Sequence, residues 1–136
     1  MADLAPTSIA LGSQQTRWKL GQAGEAIAEM DIVFLSTTSL KYFIAGADAG
    51  VENAKSAGIA LLGAALDGFF PLVFLGPVIL GGITADIGDA YYLSRTLGKI
   101  MPQADLQAGD RVSYLAGATA ANVLDFSIKN YLTLLA

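Results

Sequence analysis

The chain contains no cysteine and no histidine among its 136 residues. Without cysteine it has no disulfides, no thiolate metal sites and no cysteine nucleophile. Without histidine it lacks the commonest general base, the commonest transition-metal ligand and every Ser-His catalytic arrangement. The composition therefore predicts a protein that is not an enzyme, with no catalytic residues, no cofactor and no metal site.

Charge is scarce as well, since Asp, Glu, Lys and Arg make up 15% of the chain and the net charge is −4. The eight basic residues are scattered and form no positive stripe that would neutralise phosphates, so we expect no nucleic-acid partner. Hydrophobic residues make up 54%, which is high for a soluble domain, and part of that excess is expected to face another protein or a lipid. The start of the chain, 1–6, has an early acid and no basic flank, so we expect no secretory signal.

The most apolar stretch, 57–83, carries one charge, Asp67, and raises the alternative of a membrane helix. Pro71 and Pro77 each cost a helix interior about 3 kcal/mol, and a central aspartate adds roughly 2.5–3.5 kcal/mol on insertion scales. The sequence therefore favours strands and no membrane partner. A lipid-embedded coat or pilin-like subunit stays as an alternative.

The same stretch is typical of two strands joined by a turn. A short apolar strand at 58–62 is followed by a turn at 65–68, whose Asp-Gly pair tolerates positive φ, and by a second strand at 69–75 that Gly76 and Pro77 are expected to end. Short strands with Gly and Asp turns between them predict an all-β barrel or sandwich with at most short helices, one of them a helical turn within 47–57. The other predicted strands are 15–21, 41–45, 111–115 and 122–129.

A sequence repeat recurs at a constant spacing of 58 residues, where 24–36 matches 82–94 at Gly, Asp, Leu and Ser positions, and a weaker copy lies at 106–115. Each copy follows the order turn, strand, turn. We interpret the repeated aspartates as turn residues. The alternative is a calcium or acid/base cluster, but no Asp-x-Asp-x-Asp-Gly loop is present. The residues in question are Asp31, Asp86, Asp89 and Asp110.

We divide the chain into an N-terminal arm, 1–14, a β domain, 15–130, and an apolar C-terminal tail, 131–136. The arm is expected to lie along a partner and the tail to dock on a neighbour or complete a sheet. Burying the tail's large side chains would contribute about 1.5–3 kcal/mol each.

The strand at 69–75 places apolar groups on both faces, whereas an edge strand normally has one polar face. Two interpretations stay open: the strand is central and buried within one subunit, or it forms an interface between subunits. The predicted interface residues, together with an exposed tryptophan and the tail, are Trp18, Phe69, Phe70, Leu72, Phe74, Leu75, Tyr131, Leu132, Leu134 and Leu135.

The order of these features over about a hundred residues resembles that of small bacteriophage capsid decoration, or cement, proteins of the head-fibre style. The segments that carry the resemblance are 23–27, 31–35, 41–48, 58–61, 91–94, 98–106, 109–112 and the alternating strand near the C-terminus. The chain departs from the pattern at 69–75, where such proteins tend to have a more polar strand.

The resemblance implies a non-catalytic virion protein that binds the major capsid protein on the capsid exterior and stiffens the shell. Before assembly it would reside in the host cytoplasm. It also implies a homo-oligomer, and a trimer would suit the local three-fold positions of an icosahedral shell. A third alternative is a glycan- or receptor-binding fibre module that uses Trp18, Tyr91 or Tyr92. The two adjacent tyrosines are expected on opposite sides of a strand.

Overall fold

The computed structural model describes residues 3–134, and these form an antiparallel all-β fold whose curled sheet makes a half-barrel. The predicted fold class is confirmed. Residues 3–134 contain no α-helix, and the helical content consists of two 3₁₀ turns, Glu52–Ala54 and Gln103–Asp105. The strands are β1 (Ser8–Leu11), β2 (Arg17–Gln22), β3 (Ile32–Leu35), β4 (Tyr42–Ile44), β5 (Ser56–Ala60), β6 (Phe69–Gly81), β7 (Ala90–Leu93), β8 (Ile100–Pro102), β9 (Arg111–Ala120) and β10 (Val123–Leu134).

The expected break at Gly76 and Pro77 is wrong, because β6 runs through both residues to Gly81. Gly76 adopts φ 105°, a conformation that glycine reaches without strain, and the β2–β6 register shifts just before it. The strand therefore bends at a glycine and continues. The turn before β6 is confirmed, with Asp67 at φ 67°.

The long strand β6 organises the sheet, whose order is β4-β3-β5-β6-β10-β9-β7-β8. Strands β1 and β2 pair with β6 outside this path. Leu75 pairs with both Arg17 of β2 and Ser127 of β10, so these two strands lie on opposite edges of β6. Part of the predicted arm, Ser8–Leu11, thus pairs with its own chain.

The repeat at 58 residues is a structural repeat, so that prediction is confirmed. Hairpin β3–β4 pairs Leu35 with Tyr42, and hairpin β7–β8 pairs Leu93 with Ile100. The ladders β3–β5 and β7–β9 also match at this spacing, including the position of their register shift. The turns before the two hairpins share hydrogen bonds in which the N–H of residue 30 or 88 donates to the carbonyl of residue 60 or 118.

The repeated aspartates occupy turns, as expected. The carboxylates of Asp31 and Asp110 each accept a hydrogen bond from the N–H three residues earlier, at Ala28 and Gln107, both at 2.9 Å. Within residues 3–134 no group of three or more acidic side chains is placed to hold a metal ion.

Two apolar cores stabilise the sheet. The larger core joins both repeats and includes Ile59, Val73 and Phe126, whereas the smaller core lies within the first repeat around Phe70 and Leu72. Residues 131–134 belong to β10, and Leu134 pairs with Arg111 of β9 in the same sheet. No helix within residues 3–134 has the length and apolar character needed to span a membrane.

Candidate interaction surface

The structure divides the predicted interface residues between the interior and the surface. Phe70 and Leu72 are fully buried in the smaller core, and Phe74 is half-buried. Because a buried side chain has no surface left for a partner, the interface prediction does not apply to Phe70 and Leu72. The side chain of Leu134 and the whole of Leu135 lie outside the described residues.

Four apolar side chains form the surface that we call the β2–β6 patch: Trp18, Leu20, Phe69 and Pro71. Leu20 pairs directly with Pro71, and Trp18 lies two residues from Leu20 on the same face of β2. Phe69 lies two residues from Pro71 on that face of β6. The exposed fractions of Trp18, Leu20 and Phe69 are 50%, 64% and 68%. Sequence reasoning included Trp18 and Phe69 but missed Leu20, although the alternation within 15–21 was the signal that points to it.

The patch lies on the same face of the sheet as the larger core. Val73, which pairs with Trp18, is fully buried in that core. Two residues further along each strand, the Leu20–Pro71 pair lies on the same face, where Leu20 is exposed. The exposed rings therefore lie on hydrogen-bonded strands and form a surface of fixed shape.

The other face of β2 is covered. A Cβ on Gly21 would lie 2.6 Å from the ring of Tyr42, so glycine permits the close packing of β2 on the smaller core. The ammonium group of Lys19 lies 5.3 Å from the centre of the Phe74 ring, a cation–π contact. Only one face of β2 therefore presents uncovered apolar groups.

The remaining predicted interface residues lie apart from the patch. Leu75 pairs with Arg17, which alternates with Trp18, so Leu75 projects from the opposite face and is 43% exposed. Leu132 is half-buried against the larger core. Tyr131 is exposed on β10.

A second aromatic surface, which we call the tyrosine face, consists of Tyr92, Tyr114 and Tyr131. The rings of Tyr92 and Tyr114 meet edge to face, with centres 5.7 Å apart. Burial raises the pKa of Tyr114, and the nearby Tyr92, Asp125 and Tyr131 add to the effect. Tyr91 is buried and its hydroxyl accepts the N–H of Asp86, which confirms that Tyr91 and Tyr92 face opposite sides.

A cavity of about 280 Å³ lies where the start of the chain crosses the second repeat. Residues 3–6 line one side of it, the N–H of Leu4 donates to the carbonyl of Ile100, and the hydroxyl of Ser94 donates to Asp3. Its lining mixes apolar groups with carboxylates and one lysine, Lys99, and has no arrangement that selects a particular ligand.

No family model matches the chain, and no curated protein is significantly similar to it in sequence.

Proposed function

We propose that the protein is a non-catalytic structural component of a bacteriophage virion that binds the major capsid protein on the outside of the capsid and stabilises the shell. The observation that carries this proposal is the β2–β6 patch, in which Trp18, Leu20 and Phe69 are each at least half exposed on rigid strands. Contiguous apolar surface of this kind marks sites of protein interaction. The order of sequence features that resembles decoration proteins names the partner.

The strength of the patch suits a protein that acts in many copies. Full burial of a large apolar side chain contributes about 1.5–3 kcal/mol, so three side chains that are half to two-thirds exposed contribute roughly 3–5 kcal/mol together. Association itself costs about 4–15 kcal/mol. One patch alone therefore binds weakly, and tight binding needs further contacts or several linked patches.

Such a protein stabilises the shell by mass action. A ligand that binds the assembled capsid but not free subunits shifts the equilibrium towards the assembled state. This mechanism needs no reactive side chain. It needs a rigid surface and a complementary site that exists only on the completed shell.

Imaging of purified virions tests the location. Particles labelled with an antibody against this protein are expected to carry label evenly over the head, and particles with the gene deleted are expected to carry none. A Phe69→Ser variant should lose most of its head binding. Ile87→Ser is the matched control, because Ile87 is 73% exposed but lies outside the patch. Label on the tail, or equal binding of both variants, would contradict the proposal.

The tyrosine face favours one second candidate, a glycan-binding module. Aromatic rings stack on sugars, and the edge-to-face contact holds Tyr92 and Tyr114 in place while Tyr131 is 60% exposed beside them. A glycan array distinguishes the two functions. Binding of a defined sugar by the wild type that is lost in Tyr131→Ala would favour the glycan function.

A further inference from the structure

The outer side of β10 carries a symmetric order of side chains. Leu124 and Phe126 are fully buried, and Ile128 and Leu132 pack against the larger core. Because successive side chains of a strand point to opposite faces, the residues that alternate with these four project outwards. All of them except the half-buried valine are exposed. We call this surface the β10 face: Val123, Asp125, Ser127, Lys129 and Tyr131.

Neighbouring strands extend the β10 face. Leu75 of β6 pairs with Ser127 and is 43% exposed. Tyr114 of β9 pairs with Lys129, so the β10 face is continuous with the tyrosine face, and tyrosine is enriched at protein interfaces. Leu75 projects from the side of the sheet opposite to the β2–β6 patch. An interface on the β10 face therefore leaves the patch free.

The two charges of the β10 face have no ion-pair partner within residues 3–134, where no salt bridge includes Asp125 or Lys129. Each lies two residues from Ser127, on opposite sides of it. A second copy turned end for end over Ser127 would therefore bring each carboxylate over an ammonium group.

We propose that two copies of this chain pack face to face through their β10 faces, with antiparallel strands and a two-fold axis over Ser127. In this arrangement Asp125 of each copy meets Lys129 of the other, so two ion pairs form. Further from the axis, Tyr131 of each copy lies over Val123 of the other, which sets an aromatic ring on an apolar side chain.

Other registers along β10 are less favourable. An axis over Asp125 would oppose two carboxylates, and one over Lys129 would oppose two ammonium groups. An axis over Phe126 or Ile128 would set each charge against an uncharged side chain. Like charges that face each other across an interface are costly. The charge order of β10 is thus complementary to itself in the register centred on Ser127.

Ordinary sheet packing permits these contacts. Packed sheets lie about 10 Å apart with strands that cross at about 30°. Asp125 and Lys129 lie about 6.6 Å from the axis along the strand, so this crossing displaces them from each other by only about 3 Å. The outer sides of β6, β10 and β9 bury on the order of 1,000 Å² in the two copies together, which is small for a specific complex. We therefore expect a weak, reversible dimer.

One like-charge contact opposes the pairing. Arg17 of β2 pairs with Leu75, which pairs with Ser127 at the level of the axis. The two copies of Leu75 thus meet near the axis, and the two copies of Arg17 approach each other at the rim, where water screens them. Arg17→Gln should accordingly tighten the dimer by about two- to fivefold.

Sedimentation velocity over a wide concentration range tests the pairing. Asp125→Lys and Lys129→Asp each set like charges at both contacts, so each should lower the affinity of the dimer at least about tenfold. An equimolar mixture of the two variants should restore a dimer, because the lysines of one then lie opposite the aspartates of the other. A double variant that carries both changes should dimerise with itself for the same reason.

Asp48→Lys is the matched control, because Asp48 is exposed outside the β10 face, and it should dimerise as the wild type does. Far-UV circular dichroism should show the wild-type spectrum for every variant, since the changed residues are exposed. A monomeric wild type, a trimer, or a mixture of variants that stays monomeric would each overturn the pairing. So would a monomer that uses Tyr131 to bind a sugar.

The dimer itself does not depend on the proposed capsid role. It carries two β2–β6 patches, and linked patches bind a shell more tightly than one patch does, a consequence that rests on the proposed function. Capsid binding of the wild type and of Asp125→Lys is measured separately. A dimer that does not bind capsids contradicts only the capsid role, and a monomer that binds them contradicts only the pairing.

Discussion

Phe69 and Phe70 are neighbours in sequence, and the structure predicts opposite consequences for the same truncation. Phe70 is fully buried, and its ring meets that of Tyr42 edge to face with centres 5.9 Å apart. Phe70→Ala removes this packing and leaves a cavity, so it should lower the free energy of unfolding by about 3–5 kcal/mol. That is a large share of the 5–15 kcal/mol typical of a domain.

Phe69 is 68% exposed, so Phe69→Ala removes little buried surface. We expect its free energy of unfolding to stay within about 0.5 kcal/mol of the wild type. Urea denaturation followed by far-UV circular dichroism measures both variants. Equal destabilisation by the two changes would refute the assignment of the faces of β6, and with it the β2–β6 patch.

Three further predictions concern stability. Leu40 has φ 59°, a conformation that favours glycine, and its repeat counterpart Gly98 has φ 76°. Leu40→Gly should therefore stabilise the fold by up to about 1 kcal/mol in urea denaturation. Gly98→Ala should destabilise the fold, because a Cβ at this position would lie 2.8 Å from a carboxylate oxygen of Asp31. Burial raises the pKa of Asp31 above its ordinary value of 3.8, so the native state holds this proton more tightly than the unfolded chain does. The protonated carboxyl therefore contributes stability at pH values below 3.8, and this contribution is lost as the pH rises through the folded pKa. Over that pH window the wild type should lose stability relative to Asp31→Asn. Arg95→Ala leaves the buried carboxylate of Asp110 without its ion-pair partner at 3.1 Å, so it should lower the stability measured in thermal unfolding by about 2 kcal/mol. This is less than the 3–5 kcal/mol for a fully buried pair, because Arg95 is 31% exposed. An unchanged melting temperature would contradict this prediction.

The strands were predictable where polar and apolar residues alternate or where apolar runs end in turn residues, as in β2 and β10. The repeat also predicted strands β3 and β7 and the turns before them, because the same residues recur at the same spacing. Two features were not predictable. Nothing in the alternation shows that Gly76 bends β6 without ending it, and β1 becomes a strand only because β6 offers it an edge.

The candidate surface was only partly predictable for a related reason. A strand with apolar residues on both faces is expected to bury both of them, but the sequence does not show which face packs on the chain's own core. The structure decides this through the close approach of Tyr42 at Gly21, which buries the Phe70 face and leaves the Phe69 face open. Leu20 joins the patch through its pairing with Pro71, a contact between residues far apart in sequence.

The most direct test of the proposed capsid role is a heating experiment on particles that lack the protein. Purified particles are incubated with wild-type protein, with Phe69→Ser or with Ile87→Ser, then heated while the release of nucleic acid is recorded. We expect wild type and Ile87→Ser to raise the release temperature, and Phe69→Ser to leave it near that of the bare particles. If bare particles withstand heating as well as those with wild-type protein, the protein does not stabilise the shell.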